Sequence, residues 1–310
     1  MERLVIATRG SQLALAQARW VAARLAELNP GLQVDLDIIK TTGDKILDVP
    51  LAQVGGKGLF VKEIEDALLA GRAGLAVHSM KDAPSALPEG LILAAVSQRE
   101  DARDVLVTRQ GLGLETVPPG GRVGTSSLRR QAQLLAIRPD LVMVPVRGNV
   151  ETRLRKLDTE NLDAVVLAAA GLNRLKLNKV KALPLEPSQM LPAVGPGALG
   201  LECCVDDAAV RALIRALDHP ETAQAVAAER GFLARLEGGC QVPIAGHAVV
   251  EKGVVVFKGL VASLDGRRVV KDEGLAPPDQ ARAMGERVAE EVLARGGREI
   301  LSQIYGEAPA

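Results

Sequence analysis

Short apolar runs alternate with stretches of helical spacing along the first half of the chain. After the first run, Ser11 can cap a helix whose apolar positions continue to about Leu28. The predicted strands are residues 4–8, 34–40, 75–77, 91–96, 105–107, 122–124, 141–146 and 164–167. Strands that alternate with helices indicate parallel, doubly wound sheets. The pattern therefore predicts an α/β fold.

The last third of the chain has a different pattern. A Gly- and Pro-rich run from Pro192 to Gly200 is typical of a hinge. Helices are predicted at 208–217, 221–236 and 278–295, a hairpin at 248–263 and a strand at 267–271. Asp265-Gly266 indicates the turn before that last strand. This region is predicted to be a smaller α+β unit.

Composition excludes some function classes. The chain has 310 residues, of which 47% are hydrophobic, and its 38 Lys and Arg residues equal its 38 Asp and Glu residues. A general nucleic-acid-binding protein usually has a basic excess. Aromatic residues make up 2% of the chain, too few for base-stacking platforms. We therefore expect no nucleic-acid partner.

The cysteines and the N-terminus indicate the cellular compartment of the protein. The chain has three cysteines, Cys203, Cys204 and Cys240, and the first two are adjacent. An odd number with this spacing predicts neither a disulfide framework nor a zinc motif. The N-terminus lacks the apolar region and cleavage site of a signal peptide. No apolar run approaches the roughly 20 residues of a membrane span. We expect a cytoplasmic protein in a reducing compartment, with no membrane partner.

Polar side chains recur directly after the predicted strands. In open α/β sheets, ligands bind beyond the carboxyl ends of the strands. One such arginine alone would be read as part of a solvated helix face, but repetition in two units argues otherwise. Helix N-termini add backbone donors for anions. The sequence therefore predicts a cleft between two α/β units that binds several carboxylates or phosphates. The residues are Arg9, Ser11, Lys81, Asp82, Ser127, Arg129, Arg130, Arg147 and Asn149.

A further candidate is the loop of residues 238–243, in which two glycines precede Cys240 and a proline follows. Neither a helix interior nor a central strand accepts this composition readily. A lone cysteine there can be a buried, inert side chain. It can also be a reactive group that the glycines allow the backbone to approach. The loop by itself leaves both interpretations open.

Six motifs together identify the chain as similar to the porphobilinogen deaminase family. They occur in one order and span nearly the whole chain. The motifs are TRGSQLA (8–14), GGKGLF (55–60), HSMKD (78–82), GTSSLRR (124–130), RGNVETRL (147–154) and GGCQVP (238–243).

This resemblance implies three domains and a monomer. Two α/β lobes resemble those of periplasmic binding proteins, and the chain crosses back to the first lobe after forming the second. The third, smaller α+β domain has a three-stranded antiparallel sheet. The implied boundaries are 1–97 with 196–216, 101–191, and 217–310.

The resemblance also implies the reaction, that of a transferase in tetrapyrrole (porphyrin and haem) biosynthesis. Four molecules of the small-molecule substrate porphobilinogen are joined head to tail with loss of ammonia, and hydroxymethylbilane is released by hydrolysis. Growth occurs on a dipyrromethane cofactor, joined by a thioether to the cysteine that matches Cys240. Asp82 matches the catalytic aspartate.

The remaining site residues are also implied by the resemblance. Lys57 lies in the stretch that corresponds to the family's active-site loop, and Arg174 is a weaker candidate than the others. The residues implied to bind cofactor or substrate are Arg9, Ser11, Lys57, Ser79, Lys81, Thr125, Ser127, Arg129, Arg130, Arg147, Gly148, Asn149, Arg153, Ala168 and Arg174. Two positions depart from the family pattern. Cys204 stands where a basic residue is common, and Pro196 where a glutamine is common.

Two other functions remain as alternatives. A two-lobed, non-catalytic anion-binding protein would need only the first two domains, but it would not need the glycine-flanked cysteine of the third. A phosphate-handling enzyme would need a P-loop or a metal site. The glycine-rich stretch around Lys57 lacks the P-loop spacing. The three histidines form no metal motif, so no metal is expected.

Overall fold

The computed structural model describes residues 1–45, 61–84, 86–237 and 242–306. The chain divides into two compact units, Met1–Arg99 with Ala198–Ala223, and Glu100–Gly197 with Gln224–Ala310. The division into three domains stays a prediction. Within the described ranges, no helix has both the length and the apolar character needed to cross a membrane.

The first unit contains a five-stranded sheet with the strand order β2-β1-β3-β10-β4. β1 runs parallel to β2 and β3, whereas β10 runs antiparallel to both of its neighbours, β3 and β4. The parallel pairing expected from the sequence therefore holds at one side of a mixed sheet. The strands are β1 (Arg3–Arg9), β2 (Gln33–Ile39), β3 (Leu75–Ser79), β4 (Leu91–Val96) and β10 (Leu199–Cys204).

Helices cover both faces of this sheet. Helix α1 (Gln12–Leu28) buries Ala18, Val21 and Leu25 against one face, and α3 (Lys62–Leu69) buries Ile64 and Leu68 against the other. The predicted amphipathic spacing of the first helix explains its buried face. The other helices here are α2 (Thr42–Lys45), α7 (Ala208–Ile214) and the start of α8 (Pro220–Arg235), with a short 3₁₀ turn at Arg215–Leu217.

The second unit contains another five-stranded sheet, with the order β7-β6-β8-β5-β9. β6 runs parallel to β7 and β8, and β5 runs antiparallel to β8 and β9. The two large sheets thus have the same arrangement of parallel and antiparallel neighbours. The strands are β5 (Asp104–Thr108), β6 (Arg122–Gly124), β7 (Val142–Val144), β8 (Ala164–Ala168) and β9 (Ala182–Leu185). The helices are α4 (Leu128–Ile137), α5 (Val150–Thr159) and α6 (Ala169–Arg174), with a 3₁₀ turn at Leu114–Thr116.

The second unit also contains the predicted three-stranded antiparallel sheet, ordered β11-β12-β13. Phe232 of α8 packs on Phe257 of the central strand with ring centroids 5.1 Å apart. Gly259 is required beneath this pair, because a Cβ there would lie 2.6 Å from the Phe232 ring. The elements are β11 (Ile244–Glu251), β12 (Val254–Ala262), β13 (Val269–Ala276), α9 (Ala281–Val292) and α10 (Arg298–Tyr305), with a 3₁₀ turn at Pro278–Gln280 and a kinked π turn at Leu293–Gly297.

The α/β lobes and the small α+β region of the sequence-based expectation are confirmed by these sheets. Two strands were not predicted. β10 begins inside the run that the sequence suggested was a hinge, and β9 contains Pro184. In the same run, Gly195 and Gly197 have φ angles of +68° and +75°, and the hinge stays a prediction.

Candidate active site

One edge of the first sheet carries the predicted site residues of that unit. Arg9 ends β1 and Ser79 ends β3, and these strands are parallel with Ala7 opposite Ala76. Their carboxyl ends therefore lie at the same edge of the sheet, where ligands of α/β proteins bind. Ser11 follows Arg9, and Lys81 and Asp82 follow Ser79.

Ser11 caps the helix that begins at this edge. Its side-chain oxygen accepts a hydrogen bond from the Ala14 amide at 3.3 Å. This contact explains why the chain turns into a helix directly after β1. The hydroxyl proton of a capping serine is still able to donate to a ligand.

Lys81 and Asp82 lie in a tight turn after β3. The amides of Asp82 and Ala83 both donate to the Ser79 carbonyl oxygen, at 2.8 and 3.1 Å. Met80, which lies between Ser79 and Lys81, is 1% exposed, whereas Lys81 and Asp82 are exposed. In the described part of the chain, no ion pair joins Lys81 to Asp82. The turn thus presents a cation and a carboxylate side by side.

The second sheet has the same arrangement at its own carboxyl edge. β6, β7 and β8 are parallel, so the residues that follow them meet at one edge. Ser127 caps α4, and its side chain accepts a hydrogen bond from the Arg130 amide at 3.5 Å. Thr125 is buried, and its hydroxyl oxygen accepts from the Ser127 amide at 3.2 Å. The first turn of α4 is therefore fixed, with its N-terminus at this edge.

Arg129 and Arg130 in that turn share one carboxylate, that of Asp104. The Arg129 Nη2 atom lies 2.7 Å from one Asp104 oxygen, and Arg130 donates Nε and Nη2 to the other at 3.0 and 2.7 Å. Arg129 also donates to the Leu191 carbonyl and Arg130 to the Val166 carbonyl. Asp104 is 3% exposed and each arginine 7%.

The cluster of Asp104, Arg129 and Arg130 has a formal excess of one positive charge. Burial alone would raise the pKa of Asp104, but the charges of the two arginines outweigh it and hold the pKa below its ordinary value. Burial lowers the pKa of Arg129, and the charge of Arg130 adds to this effect. The N-terminus of α4 contributes further positive potential. An anion at this edge would balance the excess charge.

Each guanidinium of this cluster retains hydrogen-bonding capacity. A guanidinium has five N–H donors. Arg129 uses Nη1 and Nη2 in the contacts above, and Arg130 uses Nε, Nη1 and Nη2, so N–H groups remain on both. The geometry therefore fits arginines that are oriented by Asp104 and still able to bind a carboxylate.

The residues after β7 form a second cationic turn. Gly148 has a φ of +109°, which favours glycine, and Asn149 caps α5 by accepting from the Thr152 amide at 2.8 Å. Arg153 donates Nε to the Gly148 carbonyl at 2.8 Å. Arg147 is exposed. This turn lies at the same sheet edge as Ala168, the half-buried last residue of β8.

Arg174 is placed differently from the other arginines. It lies at the end of α6 and donates Nη2 to the Gly197 carbonyl at 2.6 Å. Burial lowers its pKa to about 10, and the charge of Glu100 partly opposes this effect. The same Gly197 carbonyl accepts from the Glu100 amide at 3.0 Å. Arg174 is thus held by the crossover segments, not by the turns described above.

Two important predicted residues, Lys57 and Cys240, lie outside the described residues. The other cysteines are free thiols. Burial raises the pKa of Cys203 to about 11, and Cys204 is half-buried with Sγ against the Leu68 carbonyl. Both thiols are therefore poor nucleophiles at neutral pH.

Sequence reasoning missed Asp104, which is not among the predicted site residues. Its partners lie 25 and 26 positions further on, and no local pattern connects them. The available signal was a single acidic residue directly before the apolar run of β5. Sequence reasoning also missed the contact of His78 with Glu202 in the first unit.

Comparison with known proteins agrees with this geometry. A family model described as the porphobilinogen deaminase dipyromethane cofactor binding domain matches residues 4–212, and one for the porphobilinogen deaminase C-terminal domain matches residues 223–294. The porphobilinogen deaminase of Pelobacter propionicus is 56% identical over 98% of this chain and 97% of its own. That of Geobacter sulfurreducens is 55% identical over 98% and 96%.

Among solved structures, the periplasmic aliphatic sulphonate binding protein SsuA from Escherichia coli matches all of this chain and 80% of its own, at 12% identity and a TM-score of 0.40. Nothing further is inferred from a likeness at that level. The family models and the curated relatives cover nearly the whole chain and carry the same name. The chain belongs to the porphobilinogen deaminase family.

Proposed function

We propose that this transferase is a hydroxymethylbilane synthase in which the residues at the two sheet edges bind and join porphobilinogen units. The single observation that carries the proposal is the buried cluster of Asp104, Arg129 and Arg130 at the first turn of α4. Its excess positive charge and remaining N–H donors match a ligand rich in carboxylates. The dipyrromethane cofactor of the family is such a ligand, as is its substrate.

Each porphobilinogen ring carries an acetate and a propionate, so a growing chain accumulates carboxylates. Planar guanidinium groups bind carboxylates in a bidentate manner that a lysine does not reproduce. We assign the ring carboxylates to Arg129 and Arg130 together with the turn of Arg147, Asn149 and Arg153. In the first unit, Arg9, Ser11 and Lys81 have the same role.

Asp82 is assigned to the chemistry. Loss of ammonia breaks the bond between the aminomethyl carbon and its protonated nitrogen, which leaves as ammonia with the bonding pair. The pyrrole nitrogen then shares the positive charge of the resulting azafulvene cation. A carboxylate at that nitrogen stabilises the charge as it develops. When bound, the dipyrromethane cofactor would supply the pyrrole α-carbon that attacks this cation, and Asp82 would accept the proton that the α-carbon then loses.

Cys240 is the proposed attachment point of the cofactor. The two glycines that precede it permit close approach of the backbone. Burial raises the pKa of both other thiols, so neither competes as a nucleophile. Lys57 is proposed to bind the same cofactor or substrate carboxylates.

We further propose a cytoplasmic monomer with no nucleic-acid partner. The free thiols of Cys203 and Cys204 suit a reducing compartment, and zero net charge does not suit polyanion binding. The alternative of a non-catalytic anion-binding protein is not favoured, because the family models and curated relatives are deaminases.

The test is incubation of the purified protein with porphobilinogen. Intact-mass analysis should find a dipyrromethane adduct that maps to the peptide containing Cys240. Substrate should be consumed with stoichiometric release of ammonia, and hydroxymethylbilane should be the product. A protein with no adduct that binds porphobilinogen unchanged would instead be an anion-binding protein.

A further inference from the structure

A buried group of three titratable side chains lies behind the turn that carries Asp82. Glu202 of β10 is 0% exposed, His78 of β3 6% and Glu65 of α3 8%. His78 Nε2 is 2.6 Å from a Glu202 carboxylate oxygen. The two atoms are close but are not aligned as a hydrogen bond, so the contact is mainly electrostatic. The reaction described above uses none of these groups.

Burial and the neighbouring charges in this group all act on Glu65. Burial raises the pKa of Glu65, the negative charge of Glu202 adds to this effect, and His78 opposes it. Asp66 adds a smaller repulsion. A fully buried carboxylate without a compensating cation is strongly destabilising. His78 is the basic side chain in contact with Glu202, and it directly precedes Ser79, the last residue of β3.

The chain from His78 to Met80 is held against β10 and the residue before it. His78 pairs in register with Gly200, and the Met80 amide donates to the Ala198 carbonyl at 3.0 Å. The Met80 side chain occupies the space above Gly200, where a Cβ would lie 2.5 Å from its sulfur. The Asp82 amide then closes the turn on Ser79. The direction in which Asp82 leaves the sheet therefore depends on how β3 is held against β10.

We propose that His78 and Glu202 are positioning residues for Lys81 and Asp82, and that their buried contact sets the direction of the catalytic turn. This inference rests on the role assigned to Asp82 in the proposed function. A misplacement of about 1 Å in a reacting group is enough to cost roughly 100-fold in rate. Loss of the pair should thus lower kcat without removing any group that binds carboxylates.

Two replacements of Glu202 separate positioning by charge from packing. Glu202→Gln keeps the shape and removes the charge, whereas Glu202→Asp keeps the charge and shortens the side chain. We expect Glu202→Gln to lower kcat at least tenfold with KM changed less than about threefold, and Glu202→Asp to retain more of kcat. If Glu202 acted only through packing, Glu202→Gln should retain more of kcat than Glu202→Asp. That opposite order, or parental kcat in Glu202→Gln, would overturn the inference.

His78→Gln and the double variant complete a cycle. If the two residues act as a pair, the double variant should have about the same kcat as the worse single variant. The double variant leaves no unpaired charge of the pair buried, so it also replaces Glu202→Gln if that variant does not fold. Independent, multiplicative losses would show that the residues do not act together.

Val21→Ala is the matched control, because Val21 is fully buried against the opposite face of the same sheet. It should lower the melting temperature and leave kcat at the parental value. Adduct mass is measured for every variant before kinetics. A parent protein that does not consume porphobilinogen would overturn the proposed function and this inference together. An active parent beside fully active variants would overturn the inference alone.

Discussion

Arg130 binds a single carboxylate oxygen of Asp104 through two of its nitrogens, Nε at 3.0 Å and Nη2 at 2.7 Å. The other oxygen of Asp104 accepts from Arg129. One buried carboxylate thus orients two neighbouring guanidinium groups.

Asp104→Asn should destabilise the folded protein strongly. Removing one partner of a buried charge cluster typically costs about 3–5 kcal/mol, because the remaining charges stay buried without compensation. The measurement is the free energy of unfolding in urea. Asp101→Asn is the matched control, because Asp101 and its partner Arg103 are 25% and 33% exposed in their side chains. Its loss should be about 0–1 kcal/mol, and equal losses would contradict the buried-cluster interpretation.

The difference in unfolding free energy between the parent protein and Asp104→Asn should depend on pH. The pKa of Asp104 is lower in the folded protein than its ordinary value of 3.8. Its stabilising contribution is therefore fully present above that value and is lost as pH falls through the folded-state pKa. The difference in unfolding free energy between the two proteins should shrink as pH is lowered below about 4. A constant difference across that range would contradict the assignment.

Arg147→Leu should weaken substrate or cofactor binding more than it lowers the free energy of unfolding. A hydrogen bond to a charged partner contributes roughly 1.5–3 kcal/mol, which corresponds to about tenfold to a hundredfold in binding. The readouts are KM for porphobilinogen and the extent of adduct formation. Arg122→Leu is the control, because Arg122 is also exposed but begins β6 at the opposite edge of the same sheet. Equal effects of the two replacements would remove Arg147 from the site.

Asp82→Asn should nearly abolish turnover while the Cys240 adduct still forms. Asparagine keeps the shape of the side chain but loses the charge that stabilises the azafulvene cation. Removal of one preorganised electrostatic group costs roughly 100- to 1000-fold in rate. Asp82→Glu keeps the charge and should retain a reduced rate. Porphobilinogen consumption is measured on protein of confirmed adduct mass, and a fully primed Asn variant within about threefold of the parent, far short of that loss, would exclude Asp82 from the chemistry.

Cys240→Ser should yield protein without a thioether-linked cofactor and with little activity. The hydroxyl of serine is a much weaker nucleophile than a thiolate at neutral pH. Intact-mass analysis followed by peptide mapping is the measurement. Cys204→Ser is the control and should carry the normal adduct. A normal adduct in Cys240→Ser, or one that maps to Cys203, would show that the attachment point is elsewhere.

Where apolar runs are bounded by clear turn residues, the sequence predicted the fold closely. The strand of residues 91–96 was predicted with its observed bounds, and the helix predicted at 221–236 is Pro220–Arg235. β9 was missed because it is a four-residue edge strand with an internal proline, which pattern reasoning counts against a strand. β10 was missed because it begins in a Gly- and Pro-rich run and because Gly200 and Glu202 interrupt its apolar residues.

The candidate site was predictable as far as each residue follows a strand. Arg9, Lys81, Arg129 and Arg147 could be located because a polar residue after a buried strand has a known place in an α/β sheet. The pairing of these residues was not predictable. Asp104 contacts Arg129 and Arg130, and His78 contacts Glu202. In each case the partners belong to elements that are far apart in sequence. Single-sequence periodicity contains no information on such contacts.

The strand order of the first sheet has a consequence for synthesis of the chain. Within that sheet β4 is hydrogen-bonded to β10 alone, and β10 is separated from β4 in sequence by the whole of the second five-stranded sheet. On the ribosome, the second sheet has all its strands once Leu185 has emerged, while β4 still lacks a partner. The N-terminal sheet is therefore completed after the sheet that follows it, and its unpaired edge is exposed to nascent-chain chaperones or to aggregation during that interval.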